Sequence, residues 1–286
     1  MNPEEVVLLL ADEYSRMADT YDARVTPHFA PIAERVLETA DPKADERFLD
    51  VGTGTGLLAC MLAPTVAPQT VAAIDLADGA VARATYRAAG LGIKSVRFEM
   101  MDARNIVYPG KTFDGVVSNL GIPYIDTGRC FREVARVLRQ GGRFVFAEWA
   151  EFPDAPQEAF LAALRRHRTP DPSRKLAEIR AANEYARSSD GFRALRAAGR
   201  MTEGLREAGF EDVAVTPFGI AAVFSPPESY TEYRLSWGAF EAEVAGMAPA
   251  AREAFTAEMA DALRGIAKAG RLEVEWRLNL FAARRP

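Results

Sequence analysis

The sequence predicts an α/β protein: an open, mostly parallel sheet with helices on both faces. Three observations carry this. The stretch Phe48-Leu49-Asp50-Val51-Gly52-Thr53-Gly54-Thr55-Gly56-Leu57-Leu58-Ala59 begins as an apolar strand, turns through three glycines and leaves as a helix. Strand-like and helix-like runs then alternate as far as Trp149. Strands separated by helices of this length imply right-handed crossovers and parallel pairing. Helical runs flank this alternating core, with no internal repeat and no clear linker, so residues 1–286 read as one domain.

The elements follow in order. Val7, Leu10, Ala11, Tyr14 and Ala18 recur at helical spacing, and a helix is expected from Pro3 to Asp19, ending at Tyr21-Asp22. Pro27 opens a second, with Ile32, Ala33, Val36 and Leu37 on one face, stopped by Asp41-Pro42. Strand one is 47–51, followed by a helix over 57–63 that stops near Pro64. Strands are expected at 70–75, 95–100, 113–118 and 143–149, with helices over 79–89 and 129–138, the latter ended by Gly141-Gly142. Beyond Trp149 the rhythm changes. Helices are expected over 155–168 and 173–187, then a short one over 202–208 leading through Gly209 to a strand at 210–217. A largely helical stretch over 227–268 precedes a last strand at 272–282. Residues 1–44 thus hold two helices ahead of the core, 45–150, and 151–208 with 227–268 are helical additions expected to cap the carboxyl edge of the sheet.

Composition bounds the function. A hydrophobic content of 49% in 286 residues is ample for a large core. A net charge of -5 and pI of 5.4 argue against a general nucleic-acid binder, which needs a basic face for phosphates. Cys60 and Cys130 each sit beside apolar residues in expected helices and read as reduced core thiols, not as metal or redox groups. The apolar run 6–11 is too short to span a bilayer and no basic leader precedes it, so a cytoplasmic protein without membrane insertion is expected. A small-molecule partner is expected, and a homodimer is left open.

The glycine turn lies where open α/β sheets hold ligands. Dinucleotide sites favour G-x-G-x-x-G; here the spacing is Gly52-x-Gly54-x-Gly56, with Leu57 at the third dinucleotide position. Asp50 ends strand one within reach of the turn. Its charge repels a pyrophosphate and favours a cationic ligand part such as an ammonium or sulfonium. Asp75 ends strand two, about twenty residues beyond the glycines, where a carboxylate accepts both hydroxyls of a ribose. As an alternative, Asp75 or Asp78 caps the following helix. Met101-Asp102-Ala103 follows strand three and could hold an adenine, the carboxylate taking its amino group and Met101 making an apolar slot; Asp102 could equally be a turn residue. Ser118-Asn119-Leu120-Gly121 ends strand four.

Together Leu49-Asp50-Val51-Gly52-Thr53-Gly54-Thr55-Gly56, Asp75, Asp102-Ala103 and Asn119-Leu120 resemble the class I S-adenosylmethionine-dependent methyltransferases, in the small-molecule branch that includes the ubiquinone and menaquinone C-methyltransferases. The run Phe131 to Arg143 is similar to that family's helix and turn before strand five. Tyr14 and Tyr21-Asp22 resemble its amino-terminal lid, and Gly209-Phe210-Glu211-Asp212-Val213 its late strand. The resemblance covers about residues 45–150. It implies a Rossmann-like seven-stranded sheet with an antiparallel last strand, and S-adenosylmethionine as cofactor, leaving as S-adenosylhomocysteine. It implies that Asp50 and Gly52, Thr53, Gly54 and Gly56 hold the methionine part, Asp75 and Leu76 the ribose, and Met101, Asp102 and Ala103 the adenine. Asn119 and Leu120 would line the passage beside the methyl, and Tyr21 would close over the cofactor.

The reaction expected is in-line transfer of a methyl to an oxygen, nitrogen or carbon nucleophile, where the protein mainly aligns and excludes water. No constellation assigns a catalytic residue. Glu148, at the tip of strand five, and His28, at a helix start near the lid, are candidate bases, His28 reading first as a surface or capping residue. His167, in a basic run, reads as part of a solvated helix face. Tyr124, Trp149, Tyr230, Tyr233 and Trp237 are candidates for an aromatic acceptor pocket, each also explicable as packing. Two rivals remain at this point: a nicotinamide-dependent oxidoreductase, and a protein that keeps the cofactor site but uses the cavity for a different reaction.

Overall fold

The computed structural model describes residues 2–68, 70–150 and 154–286, so the first residues of the expected cap, 151–153, lie outside the described residues. Seven strands form one sheet: β1 (Phe48–Val51), β2 (Val71–Asp75), β3 (Val96–Met100), β4 (Phe113–Asn119), β5 (Leu138–Trp149), β6 (Glu211–Phe224) and β7 (Leu272–Arg284), in the spatial order β3-β2-β1-β4-β5-β7-β6. β1 lies between β2 and β4 and runs parallel to both. The strand order therefore reverses beside β1, which is where such sheets open a crevice for a ligand. β7 is antiparallel to both of its neighbours, β5 and β6, as expected.

Helices α1 (Pro3–Arg24), α2 (Thr26–Ala40), α3 (Leu57–Leu62), α4 (Asp78–Gly90) and α5 (Thr127–Val137) belong to the amino-terminal half. The Asn2–Glu5 capping box and Pro3 in the first turn start α1. Asp41, left-handed at φ 44° and followed by Pro42, stops α2. One apolar layer packs α2, α3 and the later helices on one face of the sheet. A second buries Cys130, Phe131, Val134 and Val137 of α5 against Phe144 and Phe146 of β5. Cys60 and Cys130 are both buried and free.

The structure departs from expectation in four places. Gly141-Gly142 do not end α5: that helix stops at Val137, where Leu138 turns extended, and both glycines lie within β5. Helix α1 runs through Tyr21-Asp22 to Arg24. Asp22 is buried, accepts from Arg83 Nε at 2.7 Å and pairs with Arg87, so its charge is met by α4 and does not break the helix. The carboxyl-terminal half contains α6 (Ala155–His167), α7 (Arg174–Ser188), α8 (Asp190–Arg196), α9 (Ala198–Glu207), α10 (Ser229–Leu235), α11 (Gly238–Ala245) and α12 (Pro249–Ile266). The stretch 227–268 is thus three helices, and α8 was not expected. Breaks fall at Ser236-Trp237 and before Pro249, which begins α12. Strand β6 is longer than its apolar run, because it pairs with β7 through Phe224. It is an edge strand, where Pro217 forfeits no ladder bond on the open side. No helix among the described residues is long and apolar enough to cross a membrane.

Candidate active site

The parallel strands deliver polar side chains to one edge of the sheet: Asp50 in β1, Asp75 at the end of β2, Asp102 just past β3, Asn119 at the end of β4 and Glu148 near the end of β5. The turn after β1 reaches the loop after β4 with no room for side chains. A Cβ on Gly52, at φ +66°, would lie 2.3 Å from the Gly121 carbonyl oxygen. Gly54 has open space around its Cβ position. These loops bound a cavity of ≈ 260 Å³.

Asp50 is fully buried at this cavity. Its Oδ2 accepts from the Thr53 hydroxyl at 2.7 Å, while Oδ1 has no partner among the described residues. Burial pushes its pKa up to about 7; the charge of Asp75 adds to the rise, and the Thr53 hydroxyl and the Ala59 N–H oppose it. An orphaned buried carboxylate oxygen needs a compensating group. Asp75 accepts the Gly54 N–H at 2.8 Å on one oxygen and the Ala77 N–H at 2.9 Å on the other. Burial raises its pKa, and these backbone donors work against the rise. Each oxygen keeps a lone pair for a ligand hydroxyl. The Asp102 carboxylate is gripped by Arg104, through Nη2 at 2.7 Å and Nε at 3.1 Å, and Arg104 reaches back to Glu4 of α1 at 2.7 Å. The Asn119 amide nitrogen donates to the Phe29 carbonyl at 3.3 Å, leaving a buried Oδ1 unpartnered.

Helices α1 and α2 roof the cavity. Tyr21 meets Tyr14, Phe29 and Trp237 edge-on at 6.2, 6.3 and 5.9 Å between ring centroids. Burial raises the Tyr14 and Tyr21 pKa values, so both hydroxyls stay protonated at neutral pH. The Thr26 and Thr55 hydroxyls, 3.0 Å apart, tie α2 to the glycine turn.

A second cavity of ≈ 440 Å³ adjoins the first; Tyr14, Leu120, Tyr124, Trp149 and Trp237 border both. Tyr230, Tyr233 and Trp276 line only the second. Glu148 faces it, buried, with the Ile122 N–H 3.3 Å from Oε1. Burial pushes the Glu148 pKa up to about 8, against the Ile122 and Trp149 N–H groups.

Of the residues singled out for the cofactor, Tyr21, Asp50, Gly52, Thr53, Gly54, Asp75, Leu76, Met101, Asp102, Ala103, Asn119 and Leu120 line the first cavity. Gly56 does not. Its Cβ position is 2.8 Å from the Ala84 Cβ, so its smallness serves the approach of α4. Tyr124, Trp149, Tyr230, Tyr233 and Trp237 all line the second cavity. His28 borders neither: its ring is wedged against Phe224, Tyr233 and Trp276 at 4.6, 5.6 and 6.0 Å, and burial lowers its pKa. His167 lines neither cavity and is not on a solvated face: its side chain is largely covered, edge-on to Phe255 and 2.8 Å from Glu258. Sequence reasoning missed Arg104, Asn183, Arg187 and Arg234 as wall residues. No local motif marks them.

Comparison with known proteins decides what this architecture is. A methyltransferase-domain family matches residues 49–146. The nocamycin O-methyltransferase of Saccharothrix syringae is 30% identical over 202 residues, covering 70% of this chain and 71% of that one. The chain belongs to the class I S-adenosylmethionine-dependent methyltransferases. A second relative of this methyltransferase, the aklanonic acid methyltransferase DauC of Streptomyces, is 29% identical over 196 residues, covering 65% of this chain and 89% of the relative. The solved YcgJ protein of Bacillus subtilis shares the fold at 19% identity, with a TM-score of 0.56 over 89% of this chain and 98% of its own. The methyltransferase fold and cofactor class therefore stand, and neither rival reading is favoured.

Proposed function

We propose that this methyltransferase binds S-adenosylmethionine in the first cavity and a small-molecule acceptor in the second. When bound, the cofactor supplies an electrophilic methyl on a sulfonium. Asp50 and the turn Gly52-Thr53-Gly54 hold the methionine end, Asp75 with Leu76 the ribose, and Met101, Asp102 and Ala103 the adenine. Tyr21 and the helical lid, residues 1–44, exclude water above them. Asn119, Leu120 and Trp149 border the passage between the cavities. Gly56 acts only by letting α4 pack. The cap segments 151–208 and 227–268 close the acceptor side, and with the core 45–150 they work as one methyltransferase domain. Glu148 is the group best placed to take a proton from an acceptor hydroxyl; the position of His28 behind an aromatic wall speaks against that role for it.

The observation that carries this reading is Asp50. A fully buried carboxylate with one unsatisfied oxygen, at the tip of a central strand, suits a cationic ligand group that restores its ionised form. A metabolite acceptor, and not a nucleic acid, is supported by the net charge of -5 and by the small molecules named for the two relatives. Titration calorimetry with S-adenosylhomocysteine tests the site: binding that is lost in Asp75→Ala supports it, and binding that is indifferent to Asp50, Asp75 and Asp102 substitutions sinks it.

A further inference from the structure

The second cavity has a charged wall that methyl transfer itself does not require. Arg234 of α10 and Arg187 of α7 both line it. Both guanidinium groups lean on one ring: Arg234 lies 4.9 Å and Arg187 5.8 Å from the Phe240 centroid. Arg234 also covers Phe160 at 5.3 Å and donates from Nη1 to the Gln157 side chain at 3.3 Å. Its Nε is buried without a partner among the described residues. Among the described residues, neither Arg187 nor Arg234 has a carboxylate oxygen within 4.0 Å, although most other arginines of the chain are so paired. Burial, with the nearby charges of Arg234 and Arg196, lowers the Arg187 pKa, so the cations on this wall repel one another.

Among the described residues, the carboxylates on the same walls make no ion pair with either. Glu13 is bonded to Arg16, and Glu275 lies 3.6 Å from Arg277. Asp154 caps α6, accepting the Gln157 N–H at 2.6 Å; it feels the charge of Arg234 but makes no ion pair with it. Glu148 accepts the Ile122 N–H and is held toward its neutral form by burial. Tyr124, Trp149, Trp237 and Trp276 line the same cavity. A buried, unsatisfied guanidinium donor beside a second cation is a pre-formed fork for a planar anion.

We propose that Arg187 and Arg234 form a carboxylate-binding subsite, and that the methyl acceptor is a flat aromatic molecule bearing a carboxylate at the end away from the cofactor. The carboxylate completes Arg234 Nε and relieves the repulsion between the two guanidinium groups. The ring system lies among the tryptophans, which leaves its other end toward Leu120 and Trp149, where the two cavities meet. This rests on the second cavity being the acceptor site of the proposed function.

Calorimetry on the full chain saturated with S-adenosylhomocysteine tests it, using 2-naphthoate and the uncharged 2-naphthamide as probes. The expected result is naphthoate binding at least about tenfold tighter than the amide, the size of effect a charge-assisted pair carries. Arg187→Gln and Arg234→Met each bring the two probes to within about twofold while homocysteine-cofactor affinity stays at the wild-type value. Arg234→Lys, which keeps the charge but not the fork, should fall between. Equal binding of the two probes to wild type, no binding of naphthoate, or an unchanged preference in Arg187→Gln overturns the subsite. Inorganic phosphate displacing naphthoate with equal affinity overturns the carboxylate assignment. Failure of the wild type to bind S-adenosylhomocysteine at all is a different failure, that of the cofactor site.

Discussion

Replacing Asp75 by alanine removes the carboxylate that would hold two ribose hydroxyls. A hydrogen bond to a charged acceptor contributes about 1.5–3 kcal/mol, so the pair is worth about 3–6 kcal/mol, or about 10² to 10⁴ in Kd. The structure pushes the loss toward the upper part of that range. The same carboxylate accepts the Gly54 and Ala77 N–H groups at 2.8 and 2.9 Å, and truncation leaves both donors unpaired, loosening the glycine turn. For apo stability the two effects oppose, because burial raises the Asp75 pKa and removing the carboxylate also removes that cost, so the melt should move little. The assay is calorimetric titration with S-adenosylhomocysteine beside a thermal melt. A Kd within about fivefold of wild type, with an unchanged melt, refutes the ribose assignment. Asp75→Asn, which keeps one acceptor, should lose less than alanine.

Three further outcomes are expected. Asp50→Asn should weaken cofactor binding by at least about tenfold and raise the apo melting temperature at pH 8. The sign follows from linkage: the Asp50 pKa rises from 3.8 to about 7 on folding, so the apo fold holds more protons than the unfolded chain between those values and loses stability as pH climbs through them. An apo stability that does not fall over that interval, or falls equally in Asp50→Asn, contradicts it. Glu148→Gln should slow turnover while leaving S-adenosylhomocysteine affinity unchanged, and the wild-type rate should rise with pH through about 8, where burial has moved this carboxyl; a flat profile removes Glu148 as the base. Gly52→Ala should lower the melting temperature and cofactor affinity together, since φ +66° alone costs about 1–3 kcal/mol and the added Cβ would sit 2.3 Å from the Gly121 oxygen; a melt equal to wild type argues against this contact.

Much of the first cavity was legible because each part is local. Asp50, Asp75, Asp102 and Asn119 mark strand ends, and parallel strands bring their carboxyl ends to one edge whatever the loops do. Gly56 shows the limit of that reading: the motif gives its place, but its neighbour Ala84 on α4 gives its reason. His28 shows another. Helix starts near a lid suggest reach, whereas β6 and β7 bring Phe224 and Trp276 across to enclose it. The breaks at Ser236 and Pro249 and the length of β6 follow from tertiary pairing that periodicity does not register.

From the chain alone came the alternating sheet, the turn after its first strand and the acidic side chains at successive strand tips, because backbone geometry and short-range spacing dictate them. Tertiary structure alone decided which side chains line the second cavity. Arg187 and Arg234 lie on separate helices of the cap, and their meeting over Phe240 depends on how α7, α10 and α11 pack, a relation among distant segments that no local pattern encodes.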